Sequence, residues 1–269
     1  MTEPSAPPAA GATGIYVYGL VPSDTAPTLF ADARGVERAQ PVVLVAGEGV
    51  AAVTSGVPLA EFGREALESN LQDPVWLEEK IRAHDAVLAA AVGRTTVVPF
   101  RFGVIYENEG HVRAMLAERR DLADTLTRLA GKVELGVNGY FDRNRLRERI
   151  AAERAPAAAE ASGRAYMERR QLEREIETAL GEFAATTADA VHDRLAAAAE
   201  EARVSPLRPS SGEGTREMLL NGAYLVSADA EGAFRDAVEE VAAHYADHGV
   251  VLEVTGPWPP YNFAEATES

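Results

Sequence analysis

Among the side chains of this sequence, the histidines have the types and spacing most compatible with metal binding or catalysis. His244 and His248 stand four positions apart, so on a helix they share one face, as two metal ligands would. A histidine near the C-terminal end of a helix is also favoured by the helix dipole alone, and no third ligand stands nearby in the sequence. The pair therefore has two interpretations: a metal site, or two histidines at an ordinary helix end.

His84 and Asp85 are the second arrangement that could do chemistry. Adjacent residues on a helix point about 100° apart, so the two side chains do not form a proton relay. We expect His84 to be solvated or half-buried. The sequence contains no glycine-rich phosphate loop and no GxSxG nucleophile motif. These observations predict neither a catalytic site nor a cofactor site.

Composition narrows the classes of partner. The chain has 269 residues, with 42 acidic and 26 basic side chains and a formal net charge of −16, which disfavours nucleic-acid binding. It has no cysteine, which excludes disulfides and thiolate metal sites. The first residues lack the basic and apolar regions of a secretory signal, and no apolar run approaches the roughly 20 residues that span a bilayer. The sequence predicts a cytoplasmic protein without a membrane or small-molecule partner.

The elements that must position any site form two groups. Residues 1–13 are rich in proline and small residues, which predicts a disordered tail. Residues 14–130 follow the order β, ββ, α, β, α, which predicts one compact α+β domain. Its predicted elements are a strand at 14–20, a hairpin at 41–55 turning at Gly47-Glu48, a helix capped by Asp73 with Pro74 in its first turn, β-type runs at 95–99 and 101–106, and a helix at 109–130.

Residues 131–256 follow the order βαββαβ, which is typical of the ferredoxin-like fold. This predicts a four-stranded antiparallel sheet with two helices on one face. The first helix, at 163–203, would run roughly 60 Å if unbroken and would project beyond so small a sheet. We expect Asp229 to cap the second helix and Gly249 to end it. The fold class predicted is α+β, with two domains and a long projecting helix.

Stiff aromatic segments are the feature that no enzyme class explains. Residues 249–263 read GVVLEVTGPWPPYNF: a strand that Gly256 and three prolines stop, followed by aromatic residues. Two others are VVPFRFG at 97–103 and GRAYMERR at 163–170, the second of which places arginines near a helix N-terminus, where the dipole opposes them. The residues that we single out as candidate partner contacts are Phe100, Arg101, Phe102, Tyr166, Arg169, Arg170, Asn221, Trp258 and Tyr261.

Taken in order, GIYVYGL, VVPFRFG, GRAYMERR, MLLNGAYLV and LEVTGPWPPYNF resemble the gas vesicle protein family GvpF/GvpL. The resemblance runs from about Gly14 to Phe263, and GPWPPYNF after a strand is its most specific part. It implies a two-domain α+β protein without enzyme activity or cofactor. It also implies a role in forming gas vesicles, in which such proteins bind the small hydrophobic major shell protein and other accessory proteins during assembly and are retained in the wall as minor components.

This resemblance does not distinguish an F-type from an L-type member, and it carries no residue-level site. The location that it implies is the gas vesicle in the cytoplasm. We expect residues 257–269 to pack at the junction of the two domains and to hold the surface that a shell subunit meets. The alternative function is a metal-binding or small-ligand-binding ferredoxin-like regulatory protein, for which the metal version uses His244 and His248.

Overall fold

The computed structural model describes residues 11–119, 121–154, 163–207 and 216–264, except for the side chains of 163–166. Contacts divide the chain into two compact units, Met1–Val133 with Pro257–Ser269 and Glu134–Gly256. Most of the tail predicted at 1–13 lies outside the described residues, although the first strand already begins at Thr13. The first unit therefore draws on both ends of the chain.

The strands of the first unit form one antiparallel sheet. They are β1 (Thr13–Pro22), β2 (Val42–Ala46), β3 (Val50–Pro58), β4 (Val98–Pro99) and β5 (Ile105–Tyr106). The order is β2-β3-β1-β4, with β5 also paired to β1. Tyr16 to Val21 in β1 are all buried, so this central strand is covered on both faces.

The predicted hairpin between β2 and β3 is confirmed. The two strands pair antiparallel from Val42 opposite Ser55 to Ala46 opposite Ala51. The Gly47 amide donates to the Val50 carbonyl at 2.8 Å. Gly49 has φ 75°, a left-handed conformation that glycine adopts without strain.

The described part of the first unit contains five α-helices. They are α1 (Leu59–Phe62), α2 (Arg64–Asn70), α3 (Pro74–Ala89), α4 (Glu109–Glu118) and α5 (Asp121–Leu129). The predicted start of α3 is confirmed, because the Asp73 carboxylate accepts from the amides of Val75 and Trp76 at 2.9 and 3.3 Å. Helix α3 packs against β1. The buried core of this unit includes Phe30, Phe62 and, from α3 itself, Leu88.

The prediction of one helix over 109–130 is wrong. Helix α4 ends at Glu118, and Arg119 follows with φ −95° and ψ 64°, which is outside the helical region. The Arg119 guanidinium contacts the Asp121 carboxylate at 2.7 Å, and Asp121 opens α5. An acidic residue is favoured in the first turn of a helix, so the Arg119–Asp121 pair favours a break at this point.

The second unit contains a four-stranded sheet with the order β7-β8-β6-β9. Its strands are β6 (Lys132–Asp142), β7 (Glu201–Val204), β8 (Arg216–Ser227) and β9 (Val250–Trp258), and its helices are α6 (Arg143–Arg154), α7 (Gly163–Ala196) and α8 (Glu231–Tyr245). The prediction that the strand stops at Gly256 is wrong, because β9 continues through Pro257 to Trp258 into the segment that belongs to the first unit. Strand β9 lies at the edge of the sheet, where a proline without an amide donor is tolerated. The chain thus passes from one unit to the other within a single strand.

Two predicted helix ends in this unit are wrong. Helix α7 stops at Ala196 instead of Arg203, because Glu201–Val204 pairs antiparallel with β8 and that pairing satisfies its backbone groups. Helix α8 starts at Glu231 after a short 3₁₀ turn, and its N-cap Ala230 makes no side-chain bond, so Asp229 is not the cap. Gly249, with φ 75°, ends the following turn as predicted.

Candidate functional site

His84 lies at the centre of an aromatic cluster in the first unit. Its ring centroid is 5.8 Å from that of Tyr16, 5.6 Å from Tyr18, 6.0 Å from Phe102 and 6.5 Å from Tyr261. The side chain is 1% exposed, so the prediction of a solvated or half-buried histidine is wrong. Helix α3 lies on β1, and this packing turns His84 towards the two tyrosines.

One hydrogen bond sets the tautomer of this histidine, whose Nε2 is buried without a hydrogen-bond partner among the described residues. The Gly103 amide donates to the Tyr16 hydroxyl at 3.0 Å, which leaves the hydroxyl proton free to donate to His84 Nδ1 at 2.9 Å. Burial lowers the pKa of His84 to about 4, against smaller raising effects of Asp85 and the Phe100 carbonyl. Burial also raises the pKa of Tyr16. At neutral pH both groups are neutral and enclosed, which suits packing better than proton transfer to a substrate.

The C-terminal segment closes this cluster. Tyr261 stacks on His84 with an interplanar angle of 29°, and its hydroxyl donates to Asp85 Oδ1 at 2.9 Å. Phe263 is fully buried, and Arg128 of α5 donates to its carbonyl. Trp258 and Tyr261 keep 49% and 37% of their surface exposed. The segment from Pro259 to Phe263 is therefore part of the first unit's core; the predicted packing at a domain junction stays a prediction.

The three candidates at 100–102 lie in a loop between β4 and β5 rather than in a predicted β-type run. Phe100 is fully buried, and its amide donates to the Tyr18 carbonyl at 2.9 Å. Phe102 is half-buried against His84 and Trp76, whereas Arg101 is exposed. The structure thus brings Phe102 and Tyr261 to one histidine and leaves Arg101 at the surface.

The sequence reasoning missed Glu61, Trp76 and Lys80, which extend this cluster. Trp76 Nε1 donates to Glu61 Oε1 at 2.7 Å, and Lys80 Nζ lies 3.1 Å from the same oxygen. Lys80 Nζ also stands 5.5 and 5.8 Å from the Phe62 and Trp76 rings. Trp76, Lys80 and His84 are spaced four residues apart on α3, and this spacing is the sequence signal that could have grouped them.

The remaining candidates belong to the second unit. Tyr166 lies in the first turn of α7, and its side chain is outside the described residues. Arg169 and Arg170 follow in the same helix and are exposed. Asn221 Nδ2 donates to the Pro206 carbonyl at 3.0 Å, and its own carbonyl accepts from the Ser205 amide at 2.8 Å. Asn221 therefore fixes the segment that follows β7, which is a structural role.

His244 lies in the last turn of α8 and His248 in the 3₁₀ turn that follows, and both histidines pack against aromatic rings. The His248 ring is stacked on Phe183 at 5.6 Å with an angle of 16°, and His244 lies edge-on to Tyr245 at 4.8 Å. Within residues 11–119, 121–154, 163–207 and 216–264, no group of three or more metal-binding side chains comes together. The metal hypothesis gains no support from the described part of the chain.

None of the helices in the described ranges combines the length and the apolar character that crossing a bilayer requires.

Comparisons with known proteins match the chain over nearly its whole length. Residues 14–265 match the family model described as gas vesicle synthesis protein GvpL/GvpF. The chain is 33% identical to gas vesicle protein L of Streptomyces sp. (strain CB03234) over 256 residues, covering 94% of this chain and 93% of that protein. It is 30% identical to gas vesicle protein F of the same strain over 258 residues, covering 93% and 99%.

A solved structure has the same fold. The crystal structure of the gas vesicle protein GvpF from Anabaena sp. PCC7120 aligns with a TM-score of 0.68 and 23% identity, covering 95% of this chain and 98% of that one. The part of the fold prediction that is confirmed is therefore the mixture of helices and sheet. With the match to both an L and an F relative, the comparisons lead to one conclusion: the chain belongs to the gas vesicle synthesis protein GvpL/GvpF family.

Proposed function

We propose that this chain is a non-enzymatic assembly protein that binds the major hydrophobic shell protein while gas vesicles form, and that it stays as a minor component of the wall. Membership of the GvpL/GvpF family over residues 14–265 carries this proposal and supports a role in gas vesicle formation. The gas vesicle in the cytoplasm is the proposed location, and other gas vesicle proteins are the proposed partners.

The physical reason for such a protein lies in the shell. A subunit that forms a gas-facing wall exposes an apolar face before it polymerises, and exposed apolar faces aggregate. A partner with a net charge of −16 would cover that face and keep the complex in solution. The cluster around His84 supports the non-enzymatic part of the proposal, because its titratable centre is enclosed by aromatic rings.

We further propose that the second unit is a ferredoxin-like module and that the two units are separate domains. The strand order β7-β8-β6-β9 supports this, because it is the order in which a split βαβ motif arranges its four strands. The helices α7 and α8 supply the two connections that the motif requires.

Arg101, Trp258 and Tyr261 are the candidate contact residues of the first unit with exposed surface. We propose that they contribute to a partner contact through that surface. Phe100 is fully buried and would act only by supporting the loop that carries Arg101.

Deletion and complementation test the proposed function. A strain that lacks this chain should form no gas vesicles or defective ones, and the intact chain should restore them. An affinity-tagged chain should also co-purify the major shell protein from cells at the assembly stage. Normal vesicles after deletion, together with no co-purification, would overturn the proposal; immunodetection on washed vesicles would decide whether the chain is retained in the wall.

A further inference from the structure

A cleft beside α3 is lined by residues that do not belong to the His84 cluster. It has a volume of about 710 Å³ and lies between the loop at 34–38 and the exposed face of α3. Its lining residues are Arg34, Gly35, Arg38, Val75, Glu78, Glu79, Arg82, Ala83 and Ala86. The helical members repeat at spacings of three and four residues, so they form one stripe along α3.

The loop wall of the cleft is held rigidly. The Val36 amide donates to the Tyr18 hydroxyl at 3.0 Å, and the Val36 carbonyl accepts from Lys80 Nζ at 3.0 Å. A Cβ on Gly35 would lie 2.3 Å from the Tyr18 hydroxyl, so only glycine allows this close approach. A wall fixed to both β1 and α3 is preorganised, and preorganisation reduces the entropy lost on binding.

The floor of the cleft is apolar and unusually open. Val75 is 76% exposed, the largest exposure among the large hydrophobic residues of the described ranges. Ala83 and Ala86 continue the floor with small side chains that let another backbone approach. A long apolar side chain placed here would cover Val75, which the protein itself leaves in water.

Positive charge surrounds this floor, although the chain as a whole is acidic. Three arginines line the cleft against two glutamates. Arg38 contacts Glu79 at 3.4 Å and Arg82 contacts Glu78 along the helix, and all four side chains are more than half exposed. Such exposed pairs contribute little stability and exchange partners readily. Arg34 has no hydrogen-bond or ion-pair partner among the described residues.

We propose that this cleft docks an amphipathic helix of the major shell protein, one whose apolar face is flanked by carboxylates. Charge complementarity selects this occupant, because the floor takes an apolar side chain while Arg34 and Arg82 are placed to receive acidic groups beside it. An open cleft along a helix face fits a protein helix better than an enclosed small molecule. The inference rests on the proposed function and adds the surface through which it would act.

Charge reversal tests the docking surface in the full chain. The Arg34→Glu/Arg82→Glu double variant should bind the co-expressed major shell protein about tenfold more weakly or worse, and should complement the deletion strain poorly. Val75→Asp should act in the same way, since it places a charge on the apolar floor. Arg94→Glu reverses an exposed arginine outside the cleft and should leave both readouts unchanged.

The outcomes separate the two proposals. If wild-type chain binds the shell protein or restores vesicles and the cleft variants do so equally well, the docking inference is overturned while the proposed function stands. If deletion has no effect on vesicles and nothing is bound, the proposed function fails, and the docking inference fails with it. Equal thermal stability of the Arg34→Glu/Arg82→Glu and Arg94→Glu variants would show that any loss of binding is not unfolding.

Discussion

Removing the Phe263 side chain should lower the free energy of unfolding of the first unit and leave that of the second unit nearly unchanged. Phe263 is 0% exposed, and truncating a buried phenylalanine to alanine costs about 3–5 kcal/mol. The bond from Arg128 goes to the Phe263 backbone carbonyl, so Phe263→Ala leaves it in place. The expected loss therefore reports packing alone.

The assay must resolve the two units, because a chain of this organisation need not unfold in one step. Hydrogen exchange read peptide by peptide should show lost protection in α3 and α5 at low urea, with α7 and α8 unaffected. In a thermal scan the first unit's transition should fall by about 6–20 °C, since 1 kcal/mol shifts the midpoint of a unit of this size by about 2–4 °C.

Trp258→Ala is the matched control, since Trp258 belongs to the same segment but is 49% exposed. It should cost clearly less than Phe263→Ala. Tyr261→Phe removes one hydrogen bond to Asp85 at a partly exposed site and should cost about 0.5–1.5 kcal/mol. If Phe263→Ala and Trp258→Ala cost the same within about 1 kcal/mol, the segment is not part of the core and the reasoning is refuted.

Three further predictions concern single positions. Because burial lowers the pKa of His84 from 6.5 to about 4, the free energy of unfolding should fall by about 3 kcal/mol as pH drops through that window, and His84→Gln should flatten this dependence in urea titrations. Gly181→Ala, at a site in α7 with open space, should stabilise the second unit by about 0.5–1 kcal/mol in the same assay. Gly35→Ala, whose Cβ would lie 2.3 Å from the Tyr18 hydroxyl, should destabilise the first unit, with Tyr18→Phe as a partial rescue.

The features predicted correctly from the sequence follow from local chemistry. Asp73 before Pro74 specifies a helix start within four residues, and Gly47-Glu48-Gly49 specifies a turn between two β-rich runs. The series of stiff aromatic segments identified the family because their order along the chain is itself a pattern. None of these inferences needs knowledge of which distant residues meet.

The features that were wrong depend on distant contacts. His84 is buried because Tyr16, 68 residues away, binds its ring. The stretch after Ala196 keeps a helix-favouring composition, yet Glu201–Val204 is a strand because β8 offers it an edge to pair with. Helix α4 ends where Arg119 turns to bind Asp121, a choice that the apolar spacing over 109–130 does not reveal.

Packing inward and meeting a partner differ in their energetics as roles for the C-terminal aromatic residues. A partner that displaced the segment would have to replace the packing of Phe263, about 3–5 kcal/mol, and would bind roughly a hundredfold to several thousandfold more weakly for that reason. A partner that binds with the segment in place incurs no such cost.

Contact through the exposed sides of Trp258 and Tyr261 is compatible with that second case. The cleft beside α3 is compatible as well, because it is lined by residues other than those that hold Tyr261 and Phe263. Docking onto a first unit already closed by its own C-terminal segment is therefore the favoured order of events.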